Sequence, residues 1–166
     1  MLCLAASSLG ISACSKKQET ATTTTTTTEV ANASTAPAEA PATLAAAPMA
    51  ADNANTLSGA KLAAYTGDAV KGASAFLACK TCHAVEEGVD KIGPSLHGVV
   101  GRKAGSIASF SYSAANKGSG ITWTPEKLFQ YLENPQRIVP GTKMTYVGMP
   151  DPQKRADLIA YLKTNS

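Results

Sequence analysis

The sequence predicts an all-α domain of about 100 residues held at the end of a long tether. Three observations lead there. All nine aromatic residues of the 166-residue chain lie from Tyr65 onward, and twelve of its thirteen glycines lie from Gly59 onward. Two stretches beyond that point carry apolar side chains at helical spacing, Leu128, Phe129 and Leu132 in one and Leu158, Ile159 and Leu162 in the other. Cys79 and Cys82 stand three apart, a spacing that puts both thiols on one side of a helix. The overall composition, 44% hydrophobic and 16% charged, reads as globular, yet the first 58 residues hold no aromatic anchor for a core. This unevenness excludes two equal domains and argues against a fibrous or wholly disordered chain.

Residues 1–13 read as the apolar part of an export signal, with Leu2, Leu4, Leu9 and Ile11 in a run too short to reach the roughly 18–20 residues that span a bilayer. Ile11-Ser12-Ala13-Cys14 resembles a bacterial lipobox, in which small residues precede a cysteine that is lipidated and becomes the new N-terminus. Acyl chains on Cys14, each contributing about 0.8 kcal/mol per buried methylene, would then hold the protein on a membrane. The alternative is an ordinary cleaved signal in which Cys14 is incidental. Residues 14–58 are mostly Ala and Thr, including the run Thr22–Thr28, with Pro37, Pro41 and Pro48. With nothing large to bury, this segment is expected to be a disordered linker with an r.m.s. span of roughly 35–40 Å. The folded domain is then expected at 59–166.

Charge divides the same way. Residues 1–58 carry two basic and four acidic side chains, and the remainder carries 13 basic and 8 acidic, for +3 overall. A moderately basic domain suits partners with acidic docking faces, because such fields raise encounter rates. The basic residues are scattered singly and no DNA- or RNA-binding motif is visible, so nucleic acid is not expected as a partner.

Within the domain the chemistry centres on Cys79-Lys80-Thr81-Cys82-His83. Two thiols at this spacing match the two vinyl groups of haem to which they add, and the adjacent imidazole reaches the iron. Two other uses of the pair are weaker. A thioredoxin-like dithiol would call for a βαβ context, and a zinc site would need four ligands where only His83 and His97 are at hand. His83 leaves the sixth position open, with Met144, Met149, His97 and Lys143 as candidates. Pro140-Gly141-Thr142-Lys143-Met144 reads as a loop, whereas Met149 reads as core and His97 as structural. Further along, Thr124-Pro125-Glu126 supplies an N-cap, a proline at the first helical position and an acid in the first turn, and Pro135 ends that helix. The C-terminal stretch forms a last helix, with Lys163 in its final turn.

From about Gly67 to Ser166 the chain resembles class I cytochrome c, especially the soluble carriers of mitochondria and alphaproteobacteria. The likeness runs through Gly67-Asp68, Gly72 and Phe76, the haem motif and Gly93-Pro94-Ser95-Leu96-His97-Gly98-Val99-Val100-Gly101-Arg102-Lys103. It continues through Tyr112, Asn116, Gly120-Ile121-Thr122-Trp123, Tyr131-Leu132-Glu133-Asn134-Pro135, Pro140-Gly141-Thr142-Lys143-Met144 and Asp157-Leu158-Ile159-Ala160-Tyr161-Leu162. The resemblance implies short helices wrapped around one covalent haem c, with the first and last helices crossing where Gly72 and Phe76 meet Leu158 and Tyr161. It implies Met144 as sixth ligand and the Pro94 carbonyl as partner of the second His83 nitrogen. Arg102, Tyr112, Trp123 and Thr142 would serve the haem propionates, with Asn116 and Tyr131 in the polar network near Met144. Lys80, Lys91, Lys103, Lys117 and Lys143 are the docking candidates. There are departures: the stretch between His83 and Gly93 is slightly shorter and lacks the family's histidine, Tyr146 replaces a phenylalanine, and the lysine ring is thinner.

Two function classes follow. The first is a monomeric one-electron carrier, tethered to a membrane in the periplasm. It would take electrons from a quinol-oxidising cytochrome bc complex and give them to a terminal oxidase or another reductase. Ser15 leans weakly toward the outer membrane, without deciding between inner and outer. The second is a haem enzyme or gas sensor of peroxidase-like kind, which needs an open or displaceable sixth position. Met144 discriminates between them, and no acid–base pair or nucleophile is otherwise evident.

Overall fold

The computed structural model describes residues 49–166; the expected signal segment, Cys14 and the linker as far as residue 48 lie outside the described residues. Among the described residues a 3₁₀ turn at Leu62–Ala64 precedes five helices: α1 (Ala69–Phe76), α2 (Ala114–Gly118), α3 (Pro125–Glu133), α4 (Pro135–Ile138) and α5 (Pro152–Lys163). Among the described residues there is no strand, only an isolated antiparallel bridge between Lys103 and Thr122. The all-α expectation therefore holds.

Each helix starts where a short polar side chain accepts its orphan amides. Asp68 Oδ1 accepts from Val70 N at 2.8 Å and Lys71 N at 3.1 Å. Thr124 Oγ1 accepts from Lys127 N at 3.1 Å, with Pro125 at the first position as expected. Asn134 is extended (φ −159°, ψ 93°), as a residue before proline must be, so it ends α3 and caps α4 at once. Asp151 caps α5 ahead of Pro152, so the last helix begins earlier than its apolar stripe alone indicates.

α1 and α5 cross at close range. A Cβ on Gly72 would lie 2.0 Å from the Asp157 carbonyl oxygen, and one on Gly67 would lie 2.5 Å from that of Ala156, so only glycine admits this approach. Phe76 packs on Tyr161 with ring centroids 5.4 Å apart, and Leu158, Ile159 and Leu162 are buried. Arg155, fully buried on α5, donates from Nη1 to the carbonyls of Met149 (2.7 Å) and Pro150 (2.9 Å) and pairs with Glu133 at 3.4 Å. That one side chain ties α5 to α3 and to the chain entering α5.

Residues 49–58, ahead of the expected boundary at Gly59, hydrogen-bond to α3. They lie as a strap on α3. Lys127 Nζ donates to the carbonyls of Ala50 (3.2 Å) and Asn53 (2.6 Å) and to Gln130 Oε1 (2.9 Å). Gln130 Nε2 donates to Asn53 Oδ1 (3.2 Å) and the Asn55 carbonyl (2.8 Å). The Glu133 carboxylate accepts from Leu57 N, Ser58 N and Ser58 Oγ. The expected stripe of Leu128, Phe129 and Leu132 is buried, but so are Lys127, Gln130 and Tyr131, because α3 is covered on two sides.

Candidate haem site

After α1 the chain does not continue as regular helix, as the cysteine spacing had suggested, but passes through overlapping turns. Cys79 N and Lys80 N both donate to the Phe76 carbonyl (2.8 and 3.0 Å), and Cys82 N and His83 N both donate to that of Cys79 (3.0 and 2.9 Å). Through these turns Cys79, Cys82 and His83 all line one apolar cavity.

His83 Nδ1 lies 2.7 Å from the Pro94 carbonyl. A carbonyl only accepts, so Nδ1 carries the proton and Nε2 keeps its lone pair for a metal. Burial pushes the imidazole below its usual pKa, against the raising effect of that hydrogen bond, which keeps the ring neutral as a ligand must be. Gly93 leaves room for it: a Cβ there would sit 2.3 Å from His83 Cε1. Burial, and then the neighbouring Cys82, push the Cys79 thiol above its usual value. That is the reverse of a reactive redox dithiol. Among the described residues no group of three or more His, Cys, Asp or Glu is placed to hold a metal by itself, so the zinc alternative lacks a ligand set.

Of the four candidates for the sixth position, Met144 and Lys143 line the cavity; His97 and Met149 do not. Lys143 Nζ donates to the Ser111 carbonyl at 2.9 Å, which leaves Met144 as the side chain offered to an iron. Its Sδ accepts from Tyr131 Oη at 3.4 Å, and Tyr131 is packed on Trp123 with centroids 4.7 Å apart. Met144 is brought there by a turn in which Gly141 takes φ +83° and Thr142 N donates to the Val139 carbonyl at 3.0 Å.

Arg102 donates to the carbonyls of His97 (2.6 Å) and Ser95 (2.8 Å), which fixes the guanidinium beside the cavity. Backbone bonds from Gly101 N to the Trp123 carbonyl and from Trp123 N to the Arg102 carbonyl, both 2.9 Å, hold these two residues side by side. Tyr112, Thr142 and Asn116 join them, and Asn116 Oδ1 is buried with no partner. Turned about its last torsion, the same amide presents a donor. An orphaned amide, a guanidinium and two hydroxyls lining an otherwise apolar cavity fit the carboxylates of a haem, and two thiols, an imidazole and a thioether fit its vinyl groups and iron. All eleven residues expected to contact haem thus line a single cavity.

The five docking lysines are all exposed, though Lys91 also donates to the Lys80 carbonyl at 2.9 Å and Lys143 to that of Ser111. Sequence reasoning missed several wall residues, among them Ile92, Leu96, Phe110 and Leu128. It also missed Asp90, whose carboxylate accepts from Ser95 N and Ser109 Oγ, both at 2.8 Å, and fastens the 107–112 loop to the stretch after His83. The one available signal was an acidic residue in the segment where the expected histidine was missing.

Known proteins agree with this geometry. The cytochrome c family model matches residues 69–166. Cytochrome c2 of Rhodopila globiformis is 59% identical over 99 residues, covering 59% of this chain and 93% of that protein. Cytochrome c of Arabidopsis thaliana is 52% identical over 99 residues, covering 58% and 88%. The solved structure of cytochrome cH from Methylobacterium extorquens is 49% identical with a TM-score of 0.57, covering 59% of this chain and 99% of that one. With its helices, cavity and sequence in agreement, the chain belongs to the cytochrome c family: it is an electron carrier, and one haem is attached through Cys79 and Cys82.

Proposed function

We propose that this cytochrome c works in the periplasm on a lipid tether at Cys14. It would take single electrons from a quinol-oxidising cytochrome bc complex and deliver them to a terminal oxidase or another reductase, with His83 and Met144 as the side chains that would hold the iron. The observation that carries the ligation is the Met144 thioether lining the His83 cavity under the Tyr131 hydroxyl. Haem, when bound, supplies an iron that alternates between ferric and ferrous states. Met144 would fill the position a substrate would need and, as a soft neutral donor, would favour the ferrous state and raise the potential. Pro94 fixes the orientation and basicity of His83. The apolar wall excludes water, and Arg102 offsets carboxylate charge.

The periplasmic and tethered part rests on the export-like residues 1–13, the lipobox-like residues before Cys14 and the low-complexity stretch that follows. A tether raises the effective concentration at partners in the same membrane without tight binding. A potentiometric titration of the haem-loaded protein, with absorption followed to the red edge, tests the ligation. A single one-electron step at a clearly positive potential, with the weak sulfur-to-iron band in the ferric form, is expected; a low potential without the band would overturn it. Cell fractionation of wild type and Cys14→Ser tests the tether, with the variant expected to leave the membrane fraction.

A further inference from the structure

Resting on the His83–Met144 reading, we propose that Gln136 is a positioning residue whose side-chain amide clamps the Thr142–Met144 turn and holds the Met144 thioether at the iron. Gln136 is exposed on α4, outside the haem cavity. Its Nε2 donates to the carbonyls of Thr142 at 3.2 Å and Met144 at 3.1 Å, one N–H to each. Among the described residues no other donor reaches either carbonyl.

The clamp matters because the backbone around Met144 is poorly held. Upstream, the last backbone–backbone bond is Thr142 N to the Val139 carbonyl at 3.0 Å. Downstream, the next is Met149 N to the Leu132 carbonyl at 2.7 Å, where Arg155 also grips the chain. Between them, residues 143–148 make no backbone–backbone hydrogen bond. Side chains hold that span. Tyr131 contacts the sulfur, Lys143 reaches Ser111, and Gln136 alone grips backbone on both sides of residue 143. Ferric iron is the harder oxidation state and binds a thioether weakly. In that state the free energy of the turn decides how often Met144 yields its place to an added ligand. Two neutral hydrogen bonds at an exposed site supply a factor of roughly ten, about 1.4 kcal/mol.

The probe is imidazole, titrated into the ferric haem-loaded protein while the sulfur-to-iron band is followed. Gln136→Glu keeps the shape and loses both donors, and Gln136→Ala loses them without adding charge. Both are expected to bind imidazole about tenfold more tightly than wild type. Gln136→Arg retains donors and is expected to return to within about twofold of wild type. Unfolding breaks the same two bonds in either oxidation state, so the urea midpoint of the ferrous form is expected to fall in the Glu and Ala variants by no more than that same tenfold change. Wild-type imidazole affinity in the Glu and Ala variants would overturn the clamp. So would an equal rise in all three variants, or a loss of ferrous stability far larger than the change in imidazole affinity, which would mean general destabilisation and not a local clamp. A wild-type protein without the sulfur-to-iron band overturns the His83–Met144 reading and the clamp with it; an intact band with unmoved variants overturns the clamp alone.

Discussion

Met144 is held from several directions, by the Tyr131 hydroxyl on its sulfur, by a hydrogen bond from its own N–H to Thr142 Oγ1 at 3.3 Å, and by packing against the buried core. A methyl group in its place fills neither the coordination position nor the volume. Met144→Ala is therefore expected to open ferrous iron to carbon monoxide and to lower the potential, read by absorption and potentiometric titration. A variant that still refuses carbon monoxide would mean that another side chain closes the site. Asp90 is a different residue-scale device. The bonds from Ser95 N and Ser109 Oγ hold its carboxyl below the usual carboxylate value. The folded state therefore binds fewer protons than the unfolded one near that value. The contribution is complete above about pH 5, past the unfolded pKa of roughly 4, and is lost as pH falls through the lower folded pKa. Urea midpoints measured from pH 6 downward are expected to fall more steeply in wild type than in Asp90→Asn. Parallel curves would show that the carboxylate bonds contribute nothing.

The crossing of α1 and α5 leaves no space for a side chain at Gly72, where the obstacle is the Asp157 carbonyl, a backbone atom that cannot swing aside. Gly72→Ala is expected to destabilise by at least about 1–3 kcal/mol, the usual overpacking range, through separation of the two helices, and to lower the yield of protein with haem attached. A midpoint of urea unfolding equal to wild type would refute that account. The element scale is also where the sequence is most informative, for physical reasons. Caps and prolines are local, so Thr124-Pro125 announces α3 by itself. The haem contacts were legible because five residues, Cys79 to His83, carry an unmistakable pattern, and the resemblance then ordered the remainder. What stayed hidden is nonlocal. Gln136 and Asp90 act through carbonyls and hydroxyls of other segments, and their residue types carry no signature of that use. The cysteines' turn was mistaken for helix because i to i+3 and i to i+4 bonds give the same side-chain placement over so short a span.

For the molecule as a whole, the composition shift marks where glycines (Gly59) and then aromatics (Tyr65) begin, while the residues just before it already hydrogen-bond to α3. The strap Met49–Ser58 has no large side chain beyond Met49 and Leu57, and it is held mainly through its carbonyls and amides by Lys127, Gln130 and Glu133. The determinants thus lie on α3, some 75 residues away, and composition inside the strap could not reveal them. The strap makes α3 a wall between two surfaces: Leu128, Tyr131 and Leu132 face the haem cavity, while Lys127, Gln130 and Glu133 take the strap. Lys127 is 2% exposed and its ammonium has only carbonyl-type acceptors, so the strap's oxygens stand in for water around a buried charge. Two truncations separate tether from fold. Haem-loaded protein beginning at residue 49 is expected to unfold in urea at the same midpoint as the longer chain. Protein beginning at Gly59 is expected to lose about 2–3 kcal/mol, less than the sum of the broken bonds, because water reaches the uncovered donors and the strap no longer has to be ordered. The loss should show in the ferric red band as well, since Tyr131, on the same helix, touches the Met144 sulfur. Equal midpoints for the two truncations would return residues 49–58 to the tether and leave α3 stable without its cover.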